Sequence, residues 1–320
     1  MRPRLIAAAL VIAASLVGAC SAPVPVGSAV SLAKAGQDAA TQMRQSTTLS
    51  AATYATLEKA VAFDAGFAND LRDPATQDLL NEEAQIQAAL SAYGGMLDKL
   101  ASAYAALGAL AAYDANGNFS SAASSLCDAA GNLIRTVSRR RRLPAAICPE
   151  ASRQTGLVAR AVQGEQVRAA SDAIAAVLQA VIPVLADPSR RNLIVMNNEL
   201  VQRLMVSAAK ELYIGGAFSC GAVIAALGSP LNLAPVNGVD AVVSKHPNLA
   251  RGCLNVVTVE AQDSATAPGV AYDKSIEALK ALAKQHENLK AGIPLDLDGV
   301  NAIVAGLQGL ATKQQSPEGM

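Results

Sequence analysis

The chain has 320 residues, with 26 basic and 26 acidic side chains and therefore a formal net charge of zero. A balanced charge excludes a globally basic nucleic-acid binder, because binding to phosphates requires a positive field. Hydrophobic residues make up 52% of the sequence and charged residues 16%, a composition that excludes an intrinsically disordered protein. The length is enough for one large domain or two ordinary domains with a buried core.

The first twenty residues have the order of an export signal. Arg2 and Arg4 form a short basic region, and the uncharged stretch 5–17 is too short to span a membrane comfortably. The stretch runs into the sequence VGAC, residues 17–20, which is an aliphatic residue, two small residues and a cysteine. This segment resembles the lipobox of bacterial lipoprotein precursors, and the resemblance covers these twenty residues.

The resemblance implies that residues 1–19 are removed and that the sulfur of Cys20, the new N-terminal residue, is diacylated. Two or three acyl chains anchor a protein far more firmly than one, because each buried CH₂ adds about 0.8 kcal/mol. Residues 20–27 would then form a lipidated tether, since Pro23 and Pro25 prevent a helix there. The alternatives are an ordinary secretory signal or an uncleaved anchor.

Ser21, rather than an aspartate, follows the cysteine. In a Gram-negative cell, the resemblance then implies sorting to the outer membrane, with the protein facing the periplasm. Loss of the signal would also remove two arginines and no acid, so that the remaining chain would carry a net charge of −2.

The clearest predicted helices are the first two. Residues 28–69 contain no proline and predict one long helix, weak near 46–50, that pairs antiparallel with the next. Asp73 and Pro74 predict the start of that second helix, since Asp is a good N-cap and Pro suits the first helical position. An a/d heptad seam then follows in steps of four and three. It consists of Ile86, Leu90, Tyr93, Leu97, Leu100, Tyr104 and Leu107.

Turn-forming residues end the second helix near 114–117. This stretch begins like a calcium-binding loop, but Phe119 and Ser125 occupy the positions that need a glycine and a bidentate acid. A turn between helices is therefore favoured over a calcium site.

The remaining sequence predicts further helices around an irregular insert at 214–272. The predicted helices are 120–142, 149–185 with a kink at Pro183, 188–213, 272–290 and 297–313. The insert contains several Gly and Pro and a β-branched run at 256–259, which is compatible with a small hairpin pairing 241–244 with 254–259. The predicted fold class is all-α: an elongated bundle of long antiparallel helices forming a single domain, 28–320.

Four cysteines remain after the lipidated one, and an even number in an exported chain suggests disulfides. They are Cys127, Cys148, Cys220 and Cys253. Three pairings are open, and we favour Cys127–Cys148 and Cys220–Cys253 because these close the shortest loops. No CxxC spacing occurs, so no metal site or other cofactor is predicted.

Two features are candidate contact sites. The first is a run of four arginines that suits an anionic contact, against the alternative of a solvated helix C-terminus. The run is Arg139, Arg140, Arg141 and Arg142. The second is segment 212–239, which has no charged residue and suggests either membrane contact or a buried helix and loop.

Catalysis has little support in the sequence. The two histidines, His246 and His286, provide little material for a triad, and no nucleotide-binding or hydrolase motif occurs. We therefore predict a non-enzymatic envelope lipoprotein, anchored to the membrane by lipid and associating with an unidentified envelope protein. The alternatives are a membrane-active protein that uses segment 212–239, similar in architecture to helical pore-forming toxins, and a carrier of an apolar ligand.

Overall fold

The structure, a computed structural model, describes residues 26–68, 72–112, 119–138, 142–144, 147, 160–196, 198–214, 220–228, 242–243 and 245–315. Within these ranges the chain forms nine α-helices and no β-strand, which confirms the all-α bundle predicted from the sequence. The helices are α1 (Val26–Ala68), α2 (Pro74–Ala111), α3 (Phe119–Val137), α4 (Arg160–Leu185), α5 (Pro188–Arg191), α6 (Asn198–Ile214), α7 (Cys220–Gly228), α8 (Pro247–Ala291) and α9 (Asp298–Gln315).

Helices α1 and α2 form the predicted antiparallel pair. Arg44 of α1 forms an ion pair with Asp98 of α2 at 3.1 Å, and farther along α1 the carbonyl of Ala51 accepts a hydrogen bond from Gln87. All seven residues of the predicted heptad seam are buried in the core that α2 shares with its neighbours. At the start of α2, the carboxylate of Asp73 accepts a hydrogen bond from the backbone N–H of Thr76 at 3.3 Å, as the N-cap prediction requires.

Helix α1 continues through the predicted weak point at 46–50. The hydroxyl groups of Thr47 and Ser50 donate to the carbonyls of Met43 and Ser46, each four residues earlier, at 2.8 and 2.9 Å. These bonds satisfy the hydroxyls within the helix, so they do not compete with its backbone hydrogen bonds. The first helix is therefore one uninterrupted rod of 43 residues.

The irregular insert and hairpin predicted for 214–272 are wrong over much of that range. Residues 247–272 belong to α8, a helix of 45 residues, and the predicted strand 254–259 lies entirely within it. Thr258 follows the helical pattern, since its hydroxyl donates to the carbonyl of Leu254 at 2.8 Å. The helix ends at Gly292, whose φ of 67° is the left-handed conformation that favours glycine.

The predicted fifth helix is divided into α5 and α6. Its middle residues leave the helix and bury Ile194, Val195 and Met196 in the core. The hydroxyl of Tyr54 accepts a hydrogen bond from the backbone N–H of Met196 at 3.1 Å, which replaces a helical bond lost at the break. Arg191 fixes the same region to α8 through a two-pronged ion pair with Asp273.

The other helices agree in part with their predicted ranges. Helix α3 ends at Val137 rather than near residue 142, and α4 contains Pro183 inside its last turns. Helix α8 is central, since it packs against α1, α4, α6, α7 and α9. It runs parallel to α2 and antiparallel to α1 and α4, so the N-terminal end of α1 lies beside the C-terminal end of α8.

Candidate functional site

Several predicted site residues lie outside the part of the chain that the structure describes. Cys20, Cys148, Arg139, Arg140 and Arg141 are in this group. The lipidation and the Cys127–Cys148 disulfide therefore remain predictions, and the structure places only Cys127, which is buried on α3.

Of the four consecutive arginines, the structure describes only Arg142, whose side chain is exposed five residues after the end of α3. The predicted contact between the arginine run and an anionic group remains a prediction.

The structure brings the second predicted cysteine pair together. Cys220, at the start of α7, and Cys253, near the start of α8, lie at disulfide distance, with their Cα atoms 5.9 Å apart. Their burial places the sulfur atoms inside a small apolar cluster that is separate from the main core. Its buried members are the two cysteines, Val223 and Val243, and partly buried Ile224, Ala250, Val256 and Val257 pack against them.

We call this unit the disulfide tip and define it as residues 220–228, 242–243 and 245–259. It exposes four large apolar side chains, out of nine in the whole described chain. They are Leu227 (58% exposed), Val242 (41%), Leu249 (43%) and Val259 (55%). Exposed apolar side chains are ordinary when scattered, but a concentration in one small unit indicates a contact surface.

Of the described residues of the uncharged segment 212–239, those of α7 belong to the tip. The nine residues of α7 extend about 14 Å, which is less than half of a bilayer's hydrocarbon thickness. Among the described helices, the stretch Gln163–Leu185 of α4 has the length and composition of a membrane span, but half of its apolar window is buried inside the bundle. That burial is typical of a core helix.

A buried hydrogen-bonded network joins three helices at the other end of the bundle. The ring of His286 on α8 bonds through Nε2 to the hydroxyl of Tyr104 on α2 at 2.9 Å and through Nδ1 to the hydroxyl of Ser171 on α4 at 2.7 Å. All three side chains are almost completely inaccessible to solvent. Burial lowers the pKa of His286 to about 3 and raises the pKa of Tyr104.

This network lies inside the bundle and links its helices. Its geometry includes a serine and a histidine, but neither of two cavities among the described residues is lined by Ser171 or His286. A general base must come within hydrogen-bond reach of its substrate. The neutral ring of His286 instead links α2, α4 and α8 at one level along the bundle.

A second buried polar cluster lies midway along the bundle. A cavity of about 10 Å³ there is lined by hydroxyl groups of α1, α2 and α8, and it has room for about one water molecule. The hydroxyl of Ser46 is buried at its wall and makes no hydrogen bond with a described residue, whereas the buried hydroxyl of Tyr93 interacts with the side chain of Ser275. The ring of Tyr93 packs edge-on against Tyr272, whose hydroxyl donates to the carbonyl of Leu185 at 2.7 Å.

One acidic side chain is buried where α1, α2 and α6 meet. Glu83 is 6% exposed, and its Oε1 atom has no hydrogen-bond partner among the described residues. Burial and, to a smaller extent, the nearby charge of Glu58 raise the pKa of its carboxyl group. No group of three or more His, Cys, Asp or Glu side chains in the described ranges has the geometry of a metal site.

Sequence reasoning missed both the His286 network and the burial of Glu83. A signal for His286 was present, since Leu279, Leu282, His286 and Leu289 follow one helical spacing and all are buried. No comparable signal existed for Glu83, which differs from the exposed Glu82 only by its position around α2.

Comparison with known proteins gives no relative: no protein-family model, curated protein or solved structure matches this chain significantly.

Proposed function

We propose that the protein is a lipid-anchored, non-enzymatic envelope lipoprotein that acts as a structural or protein-interaction module in the periplasm. The observation that carries this proposal is the position of α1 relative to the lipobox. Helix α1 begins at Val26, six residues after Cys20, and continues for 43 residues. Because six extended residues span at most about 20 Å, a lipid on Cys20 would hold this end of the bundle close to the bilayer.

The length of the bundle supports a role in reaching away from the anchor. His286 is level with Tyr104, which packs against Gly36 of α1, so these residues mark one height along the bundle. From that height, α8 extends about 50 Å toward Cys253, and α1 extends about 15 Å in the opposite direction to Val26. The disulfide tip would therefore stand about 65 Å from the anchored end.

Lipidation is tested by replacing the modified residue. We expect the wild-type protein to incorporate labelled palmitate and to fractionate with the outer membrane, and we expect a Cys20→Ala variant to do neither. Palmitate labelling and membrane association that persist in the variant would contradict the lipobox assignment.

The interaction role is tested by placing a photoactivatable crosslinker at two exposed positions. Leu249 lies in the disulfide tip, and Lys99 lies on the side of α2, so the pair separates the tip from the bundle wall. We expect one specific envelope component to be captured from the tip and not from the wall. Recovery of the same abundant proteins from both positions would count against an interaction role of the tip.

The membrane-active alternative is favoured by one observation, the 58% exposure of Leu227 on α7. In this alternative, the protein would release the contents of sealed vesicles, and a Leu227→Ser variant would release less. Vesicles that remain intact at saturating protein would exclude pore formation.

A further inference from the structure

We propose that the disulfide tip is a docking surface for an anionic lipid membrane, which it contacts from the end of the bundle opposite Val26. The proposal goes beyond the proposed function, because it assigns the tip a lipid surface as its partner, and the tip could bind lipid whether or not Cys20 is acylated. Three properties of the described tip support it: exposed apolar side chains, a positive local charge and the positive end of a long helix.

The apolar side chains give the tip a means of entering a lipid interface. Leu227 and Leu249 project from α7 and from the first turn of α8, and each exposes more than two fifths of its surface. A side chain of this size gains about 1.5–3 kcal/mol when it is fully transferred out of water. The disulfide between Cys220 and Cys253 connects the two helices that carry these leucines.

The charges of the tip favour an anionic lipid over a neutral one. The charged side chains of the described tip are Lys245 and Arg251, both close to the start of α8, and the first acidic residue of α8 is Glu260, directly after the tip. Both cations are exposed, and Arg251 donates a hydrogen bond to Asn248 on the next turn. Basic residues beside apolar ones at a surface are typical of proteins that bind anionic lipid headgroups.

The N-terminus of α8 adds to this positive field. A helix carries about half a positive charge at its N-terminus, and the effect is complete for a helix as long as α8. His246 occupies the N-cap position, but its side chain makes no capping hydrogen bond. Pro247 has no backbone N–H, and the N–H groups of Leu249 and Ala250 donate to the carbonyl of His246 at 2.9 and 3.3 Å, so the positive end of α8 acts through the helix dipole.

A protein partner fits these observations less well. Protein interfaces of lasting specificity bury about 800 Å² on each side and have an apolar core surrounded by a polar rim. Here the exposed Leu249 lies between Lys245 and Arg251 along the described chain. A lipid surface requires no matching shape, so a small apolar and basic tip is sufficient for it.

The experiment measures cosedimentation of the unlipidated chain, starting at Ser21, with vesicles. This chain retains every described helix, since the first begins at Val26. One vesicle preparation contains phosphatidylcholine alone, and the other contains phosphatidylcholine with one third phosphatidylglycerol. We expect binding to the anionic vesicles only, with affinity that falls as salt is added and that inorganic phosphate does not compete away.

Matched variants locate the binding surface. We expect a Leu227→Ser/Leu249→Ser variant to bind about tenfold or more weakly, from the apolar area removed. An Ile293→Ser variant replaces a side chain that is 54% exposed at the other end of α8, and it should bind as the unmodified chain does. Far-ultraviolet circular dichroism and titration of free thiols verify that each variant keeps its helices and the disulfide.

Three results would overturn the proposal. They are equal binding to neutral and anionic vesicles, equal loss of binding in the tip variant and the Ile293→Ser variant, and no binding to the anionic vesicles. The vesicle experiment uses the chain without acyl groups. A negative result there would leave the palmitate labelling of Cys20, which tests lipidation, unaffected. The two proposals can therefore fail independently.

Discussion

The buried imidazole of His286 predicts a specific dependence of stability on pH. Its pKa is about 3 in the folded protein, because burial disfavours the charged ring, and about 6.5 in an unfolded chain. Between these values, the unfolded state binds one proton more than the folded state. The stability that the neutral ring contributes is therefore complete above pH 6.5 and is lost as the pH falls toward 3.

The magnitude follows from the two pKa values. Linkage predicts a loss of about 2 kcal/mol in the free energy of unfolding between pH 7 and pH 5, and a slope that approaches about 1.4 kcal/mol per pH unit below that range. Ordinary carboxyl groups change little between pH 7 and pH 5, since their pKa values lie near 4. This window therefore isolates the histidine from most acid-dependent effects.

The perturbation is His286→Gln, which retains polar atoms near Tyr104 and Ser171 but removes the titrating ring. Urea unfolding followed by circular dichroism at pH 7, 6 and 5 measures the free energy of unfolding of each protein. The variant should be less stable at pH 7, and it should lose about 2 kcal/mol less than the wild type on acidification.

The control is His246→Gln, which removes the exposed histidine at the start of α8. This variant should show the same decline with acid as the wild type. If His286→Gln and the wild type lose equal free energy between pH 7 and pH 5, then His286 is not buried as a neutral ring, and the reasoning is wrong.

Three other substitutions test packing and charge. Glu83→Gln should raise the free energy of unfolding at pH 7 by about 1 kcal/mol, and this gain should shrink as the pH falls through the raised pKa of the carboxyl group. The exposed control, Glu82→Gln, should change the free energy of unfolding little. Urea titration checks both variants. Gly36→Ala should destabilise the protein by about 1–3 kcal/mol in thermal unfolding, because its methyl group would overlap a buried tyrosine ring, whereas Gly27→Ala has open space and should not. Cys253→Ser should remove about 3–4 kcal/mol of constraint on a loop of 33 residues and make the tip sensitive to limited proteolysis at protease concentrations that spare the wild type.

The elements predicted correctly from the sequence are those with local signals. Helix α2 has an N-cap at Asp73, a proline at its first position and a heptad seam, and each signal lies within a few residues of the feature that it determines. The Cys220–Cys253 pair followed from compartment and loop length. In both cases the relevant free energy depends on nearby sequence, so no knowledge of the remaining fold was required.

The early part of α8 was not predictable in this way. Its β-branched run at 256–259 and its internal Pro268 both disfavour a helix locally. In the folded protein, Val256 and Val257 pack against the cluster around the disulfide, and Pro268 is buried at the wall of the small cavity. Tertiary packing therefore overrides local preference, and a reading of sequence windows cannot detect contacts with a separate helix.

The candidate sites show the same difference between local and long-range signals. The composition of the uncharged segment indicated an unusual surface, but it did not show that the surface combines α7 with the start of α8. Tyr104 and His286 are 182 positions apart, so their hydrogen bond becomes evident only when α2 and α8 are placed side by side. Partners at such separation require the topology of the bundle.

The orientation of the anchored bundle tests the central claim most directly. The chain contains no tryptophan, so a single introduced Trp reports the height of its position above the membrane. The lipidated protein is reconstituted in neutral vesicles that contain a dansyl-labelled lipid, with Trp at Val30 near the start of α1 or at Leu249 in the tip. We predict strong energy transfer from position 30 and weak transfer from position 249, because the tip stands about 65 Å from the anchored end. Equal transfer from both positions, or stronger transfer from the tip, would contradict the account.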